Sequence, residues 1–308
     1  MGGSNNPFTS FSPSQLNKEV QKAGAEISDE KFQPVLNKLL GDVLGNANAR
    51  DAEATDARLQ EIKDLLADAI ENSYDLKFGG SVAKHTYVDG ISDIDSLLVL
   101  RDPQAAQQSP EDIKNNISTA LSDGIQNAEV TTGKLAVTVR YNDGMEIQLV
   151  PAVKQDQGIK VQSWNGDRWS RINPDGFQKA LTARNADCNG KLVPTIKLAK
   201  AINATLPEKS QLSGYHMEAL GIAAFRDYQG PKTLGRMVPH FFDQISKRVV
   251  NPVRDSSGQS VHVDSYLGAS NSSERKAVSH VFDRLSKRMK NATLSGSEAQ
   301  WRSLFDDL

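Results

Sequence analysis

The amino-acid sequence predicts an α+β protein with a mixed α/β amino-terminal lobe and a helical carboxy-terminal lobe. Three observations predict this fold class. The 308 residues are enough for two hydrophobic cores. Short β-compatible runs alternate with helical patterns up to about residue 150, and the pattern after about residue 165 is mostly helical. We therefore expect one domain over residues 1–165 and a second over residues 166–308.

The composition is that of an ordinary globular protein. The chain is 38% hydrophobic and 24% charged, with a formal net charge of −2, which gives no overall support for binding duplex nucleic acid. Its one cysteine, Cys188, rules out an internal disulfide framework, and the His and Cys spacing does not predict a structural zinc. The sequence shows neither an apolar signal core nor a run of membrane-spanning length, so we expect a cytoplasmic protein without a membrane partner.

Three helices are predicted in the first lobe. Residues 1–14 precede them, and their Ser, Asn, Gly and Pro content predicts flexibility. Apolar spacing predicts helices over residues 28–45 and 51–72. A further helix is predicted to begin after Ser109, because this serine N-cap is followed by a proline and then by two acids.

Four strands are predicted in the same lobe. Leu76–Phe78 is short and ends at two glycines, and Ile94–Leu100 is apolar on both faces, as is typical of a central strand. Residues 134–141 and 145–150 flank Asn142-Asp143-Gly144, and a three-residue link that contains glycine predicts a β-hairpin.

Helical spacing dominates the second lobe, where proline and glycine residues separate the helices. Val261–Val263 is the one strand candidate. His216 is predicted to pack or to form hydrogen bonds rather than to act as a base. The predicted helices cover residues 174–187, 190–206, 213–228, 233–249 and 272–291.

Asp93 and Asp95 stand at the head of the predicted central strand. Residues two apart in a strand point to the same face, so the two carboxylates are expected to project together. Such like charges repel unless one is protonated, water reaches both, or a divalent cation neutralises them. Taken alone, Asp-Ile-Asp is more often a cap or a turn than a metal site.

Two further features favour a site for metal and phosphate. Glu146 begins the second hairpin strand and offers a third carboxylate, and Mg²⁺ prefers such oxygen ligands together with substrate phosphates. Gly79-Gly80-Ser81 follows a short strand, and a glycine turn with a serine hydroxyl suits phosphate binding through backbone N–H groups. The joint order of these features is more specific than any one of them.

A family resemblance rests on four motifs in chain order: Gly80-Ser81, Asp93-Ile94-Asp95, Glu146 and Val150-Pro151-Ala152. This order resembles the DNA polymerase β-type nucleotidyltransferase superfamily. Within it, the sequence is most similar to the template-independent branch of oligoadenylate synthases, CCA-adding enzymes and bacterial cGAS/DncV-like nucleotidyltransferases.

The helical lobe carries the same resemblance. The segments LVPTIKLAKAIN (192–203) and LSGYHMEALGIAAF (212–225) are similar to two helices of that branch, and residues 251–268 resemble a late segment of the bacterial enzymes. The resemblance implies that Lys200 meets the triphosphate and that Tyr215 lies near the base or sugar.

The resemblance also implies a fold and an activity. The fold would be a polymerase β-like lobe with a helical lobe that completes the nucleotide-binding cleft. The activity would be Mg²⁺-dependent joining of ATP and other NTPs into a cyclic oligonucleotide, a second messenger that reaches a downstream effector in anti-phage signalling. Asp93, Asp95 and Glu146 would be catalytic and hold two metal ions, for which Mn²⁺ could substitute, while Gly80 and Ser81 would bind the donor phosphates. The basic run at residues 287–290 is typical of a helix surface and also suits a protein or nucleic-acid activator.

The sequence departs from the family at one position. In relatives the third acid lies three residues before the proline of Val-Pro-Ala, where this chain has Gln148. A neutral amide cannot act as a base and is a poor Mg²⁺ ligand, so we expect Glu146, on the same strand face, to supply the third carboxylate. Two alternatives stay open: transfer of nucleotides to RNA or protein, and an inactive scaffold or sensor that binds NTPs.

Overall fold

The computed structural model describes residues 13–46, 52–69, 74–78, 94–101, 107–155, 158–163, 169–254 and 263–305. Their helices are α1 (Pro13–Asn46), α2 (Ala52–Ala69), α3 (Pro110–Gly124), α4 (Pro174–Asp187), α5 (Leu192–Ala204), α6 (Gly214–Ala224), α7 (Leu234–Arg248), α8 (Ser273–Leu294) and α9 (Glu298–Arg302). Their strands are β1 (Tyr74–Phe78), β2 (Ile94–Leu100), β3 (Ala128–Thr132), β4 (Val137–Tyr141), β5 (Glu146–Gln155), β6 (Gly158–Gln162) and β7 (Trp169–Ile172). No described helix is both long and apolar enough to cross a membrane.

The seven described strands form one mixed sheet. Its main order is β1-β2-β5-β4-β3, and the second half of β5 also pairs with β6, which pairs with β7. The β2–β5 pair is parallel and the other pairs are antiparallel. The predicted α+β class with a mixed sheet is confirmed, as is the interior place of Ile94–Leu100 between two partners.

The predicted hairpin joins β4 to β5. Gly144 has a φ of +91°, a conformation that glycine adopts without strain, and the N–H of Met145 donates to Oδ1 of Asp143 at 3.1 Å. The first hairpin strand, predicted over residues 134–141, begins instead at Val137, and β3, β6 and β7 were not predicted. The missed strands β3 and β7 contain no fully buried residue, so they lack the apolar run that marks a buried strand.

The predicted helices are largely confirmed, and their ends agree to within about one turn. Ser109 caps α3 by accepting a hydrogen bond from the N–H of Asp112 at 3.1 Å. The exception is α1, which begins at Pro13 rather than at residue 28. Residues 1–12 of the segment predicted to be flexible lie outside the described residues, as does most of the strand candidate Val261–Val263, whose last residue lies in a bend.

Two hydrophobic cores organise the described residues. One lies between the sheet and helices α2 and α3, and the other fills the helices from α4 onwards. Helix α1 joins the second core through four buried apolar side chains, and β7 lies in the sheet. These four side chains are Phe32, Leu36, Leu39 and Leu40.

Candidate active site

The parallel pairing of β2 with β5 fixes the backbone around the predicted metal site. The Cα of Ile94 pairs with that of Ile147, and the Cα of Asp95 pairs with that of Gln148. Ile147 and Leu149 point into the core beneath α2 and α3, so Glu146 and Gln148 lie on the opposite face of the sheet. The register partner of Asp95 is therefore the amide residue at 148, and Glu146 lies just before the first paired position.

Glu146 is held by two neighbours on the sheet. Its Oε2 lies 2.8 Å from a terminal guanidinium nitrogen of Arg140 and accepts from Nε of the same side chain at 2.9 Å. Its Oε1 accepts a hydrogen bond from Nε2 of Gln148 at 3.2 Å. The Glu146 side chain is 19% exposed and that of Arg140 is 58% exposed. The Glu146 carboxylate therefore lies on the expected face of the sheet, and its partners are the exposed cation Arg140 and the amide of Gln148.

The other predicted phosphate and metal residues of the first lobe cannot be placed beside Glu146. Gly80, Ser81 and Asp93 lie outside the described residues, and only the backbone of Asp95 is described. Their meeting at one site stays a prediction.

Lys200 and Glu218 form a buried ion pair between α5 and α6. The Nζ of Lys200 lies 2.9 Å from Oε1 of Glu218, and the two side chains are 5% and 1% exposed. The ammonium group also lies beside the first residue of α6, because a Cβ placed on Gly214 would be 3.3 Å from Nζ. The lysine predicted to meet a triphosphate is thus fixed under the amino terminus of α6. Its contact with phosphate stays a prediction.

Tyr215 occupies the first turn of α6, next to this ammonium group. Its ring packs against Phe177 of α4, with ring centroids 4.6 Å apart and planes at 41°. The residue is half-buried, and its ring is supported by α4. That arrangement suits stacking on a base, the role implied for it by the family resemblance.

A buried network not foreseen from the sequence connects α6 to the segment between α7 and α8. The Tyr266 hydroxyl accepts a hydrogen bond from the backbone N–H of Ser213 at 3.0 Å and lies 2.9 Å from Nδ1 of His216. The tautomer of His216 decides which of these two groups donates the proton. Nε2 faces Oδ2 of Asp264 at 3.7 Å. His216 is therefore a buried hydrogen-bonding residue, as predicted.

Arg275 of α8 anchors the other end of this network. The Arg275 side chain is 1% exposed and donates to Oδ2 of Asp264 at 2.8 Å, and that oxygen also accepts from the N–H of Val253 at 2.8 Å. The guanidinium thus ties both ends of the segment between α7 and α8 to α8. It also donates to the backbone carbonyl oxygens of Val249, Asn251, Asp264 and Gly268.

Burial keeps the His216 ring neutral at pH 7. Burial lowers the pKa of His216 to about 4, the Asp264 carboxylate opposes that change, and the Arg275 guanidinium reinforces it. Burial also raises the pKa of the Tyr266 hydroxyl. The network is therefore made of a neutral imidazole, a neutral phenol and one Asp–Arg ion pair.

Solved structures with the same fold are bacterial nucleotide synthases and relatives. CdnG of Bradyrhizobium diazoefficiens, solved with GTP, has a TM-score of 0.70 and 14% identity over 87% of this chain and 94% of its own. CdnC of E. coli MS115-1, solved with ATP, has a TM-score of 0.65 and 14% identity over 87% and 97% of the two chains. The cyclic AMP-GMP synthase DncV of Vibrio cholerae has a TM-score of 0.63 and 10% identity over 96% and 91%.

Sequence comparison identifies the family. No curated protein matches the chain significantly. Residues 31–185, just over half of the 308, match the family described as the Second Messenger Oligonucleotide or Dinucleotide Synthetase domain. The resemblance to bacterial cGAS/DncV-like enzymes is thereby confirmed. The chain belongs to the Second Messenger Oligonucleotide or Dinucleotide Synthetase family of nucleotidyltransferases.

Proposed function

We propose that this protein joins NTPs into a cyclic oligonucleotide and releases pyrophosphate in a Mg²⁺-dependent reaction. The observation that carries the proposal is the parallel β2–β5 pair, which sets the backbone of Asp95 beside the strand of Glu146 and Gln148. Family membership supports the reaction class, and the ATP and GTP bound by similar structures support NTPs as substrates.

The residues of the sheet fit Mg²⁺ by their chemistry. The Glu146 carboxylate lies on the face away from α2 and α3, and carboxylate oxygens are the protein ligands that Mg²⁺ prefers. In the proposal, Asp93, Asp95 and Glu146 hold two ions. When bound, these ions supply neutralisation of phosphate charge and activation of a hydroxyl.

The helical lobe would position the donor nucleotide. Lys200 offers a fixed positive charge beside the amino terminus of α6, where the helix dipole also favours an anion. Tyr215 offers a supported ring for the base, and Gly80 and Ser81 would contact the donor phosphates. A ribose hydroxyl of the acceptor then attacks the α-phosphorus, and the bond from that phosphorus to the pyrophosphate oxygen breaks. Orientation and charge stabilisation supply most of the rate.

The biological proposal is a second messenger in phage defence. The cyclic product would bind a downstream effector, and a protein or nucleic acid would activate synthesis. The family description names second messengers, which supports the first part of this proposal.

The test is product analysis with purified protein. Incubation with ATP, GTP, CTP, UTP and Mg²⁺ should give pyrophosphate and a small product that resists phosphatase, identified by mass spectrometry. The double variant Asp93→Ala, Asp95→Ala should lose both while keeping the wild-type circular dichroism spectrum. Unchanged NTP consumption in that variant would refute the proposal. A product formed only on added RNA or protein would replace cyclisation by transfer to that acceptor.

The register of β2 and β5 favours one second candidate, an inactive protein that binds NTPs as a sensor or scaffold. Gln148, rather than an acid, is the register partner of Asp95. Calorimetry that shows NTP binding, together with no pyrophosphate release in Mg²⁺ or Mn²⁺, would select this candidate.

A further inference from the structure

The first turn of α6 carries Tyr215 and lies against Lys200 of α5, and the proposed function assigns both side chains to the nucleotide. Tyr215 lies in this turn, and Gly214 at its start lies against the ammonium group of Lys200. A small rotation of the turn would therefore move the Tyr215 ring relative to the Lys200 ammonium group. The contacts that fix the turn thus bear on nucleotide affinity.

Tyr266 fixes this turn through hydrogen bonds, although it is about 50 residues away in sequence. Its hydroxyl accepts from the N–H of Ser213, the N-cap residue, and shares a hydrogen bond with Nδ1 of His216. Ser213 and His216 are also joined to each other, because the serine Oγ accepts from the His216 N–H at 3.2 Å. One phenol oxygen thus bridges both ends of the capping turn.

The segment that carries Tyr266 is itself fixed by hydrogen bonds. It lies in a short 3₁₀ helix, Ser265–Leu267, directly after Asp264, and Arg275 holds both the carboxylate and the carbonyl oxygen of that residue. The guanidinium is fully buried and directs its hydrogen bonds at fixed backbone positions. The position of the phenol is therefore set by α8.

We propose that Tyr266 is a positioning residue for nucleotide binding. Its hydroxyl fixes the first turn of α6, and with it Tyr215, while Arg275 fixes the segment that carries Tyr266. This inference rests on the proposed function, because it assumes that the nucleotide binds at the first turn of α6. Tyr266 touches no reacting atom in this scheme. Its loss weakens binding of substrate and transition state alike, so KM rises and kcat changes little.

The test is Tyr266→Phe, which keeps the ring and removes one hydroxyl. Losing a hydroxyl that makes two hydrogen bonds is expected to raise the KM for NTP about 10-fold, with kcat changed less than about 3-fold. The Kd of α,β-methylene ATP, measured by calorimetry, should rise by a similar factor. Amide hydrogen exchange at residues 213–216 should become faster.

Tyr228→Phe is the matched control. The Tyr228 hydroxyl donates to the carbonyl oxygen of Pro231 at 3.0 Å, just beyond the other end of α6. This variant also loses one phenol hydroxyl from the same core, and its KM and its exchange at residues 213–216 should stay at wild-type values.

The outcomes separate this inference from the proposed function. An active wild type with equal KM and Kd in wild type and Tyr266→Phe overturns the positioning role and leaves the proposed function standing. A wild type that releases no pyrophosphate, but whose analogue affinity falls with Tyr266→Phe and not with Tyr228→Phe, supports the positioning role and refutes the proposed function. Equal losses of affinity in both variants, or a wild type that does not bind the analogue, overturn the positioning role.

Discussion

Lys200 and Glu218 form an ion pair 2.9 Å apart inside the helical core, where their side chains are 5% and 1% exposed. Removing one partner of a buried pair leaves the other charge without compensation. We expect Glu218→Gln to lower the free energy of unfolding by about 3 kcal/mol, measured by urea denaturation. The exposed pair Arg302–Glu298 offers the control, and Glu298→Gln should cost less than about 1 kcal/mol. Equal effects of the two variants would contradict the burial argument.

Replacing Glu146 by Gln should separate activity from stability. The side chain keeps its size, but a neutral amide is a poor Mg²⁺ ligand. We expect pyrophosphate release to fall by about 100-fold, with a change in melting temperature of a few degrees at most. Arg140→Gln removes the exposed partner and keeps the carboxylate, so its turnover should stay within about 3-fold of wild type. An active Glu146→Gln enzyme would show that Glu146 is not the third carboxylate.

The buried imidazole of His216 predicts a loss of stability in mild acid. Its pKa in the folded protein is about 4, against an ordinary value of 6.5, so between these pH values the unfolded chain binds a proton that the folded protein does not. Stability should therefore fall as the pH drops from about 6.5 to about 4, by on the order of 3 kcal/mol. Urea denaturation at four pH values across this window measures the slope. In His216→Gln, the free energy of unfolding should depend less on pH across this window. A pH dependence equal to that of the wild type would show that other groups cause it.

Arg275→Lys tests the anchor of the segment between α7 and α8. A lysine keeps the charge but cannot direct five hydrogen bonds from one plane, so several carbonyl oxygens lose their donor. We expect a loss of about 3 kcal/mol in the free energy of unfolding. Arg284 is exposed on the same helix, and Arg284→Lys should change stability by less than about 0.5 kcal/mol. Similar losses at both positions would show that the buried contacts contribute little.

Local patterns were enough to predict the elements that bury one continuous apolar face. Ile94–Leu100 and the helices after residue 173 carry their spacing within a few turns of chain, and the hairpin turn is marked by Gly144. The function class could also be predicted from the sequence, because the family motifs are short and follow one another in order along the chain.

Other features depend on contacts between residues that are distant in sequence, and hydrophobic periodicity does not predict such contacts. The register that sets Gln148 rather than Glu146 opposite Asp95 comes from pairing between strands about 50 residues apart. The network of His216, Tyr266 and Arg275 forms only when three segments meet. Lys200 could be singled out as a cation, but its partner Glu218 becomes evident only from the packing of α5 on α6.

Helix α1 has a consequence for how the chain acquires its structure during synthesis. Its partners lie far downstream: Asn37 accepts a hydrogen bond from the N–H of Gly235 at 3.0 Å, and Asp29 pairs with Arg236. A nascent chain that emerges amino terminus first must therefore present α1 without its core for roughly 200 residues of translation. The sheet lobe can collapse during that interval, while the helical core closes last. Ribosome-bound chains should accordingly expose Leu36 and Leu40 to chaperones until α7 leaves the exit tunnel.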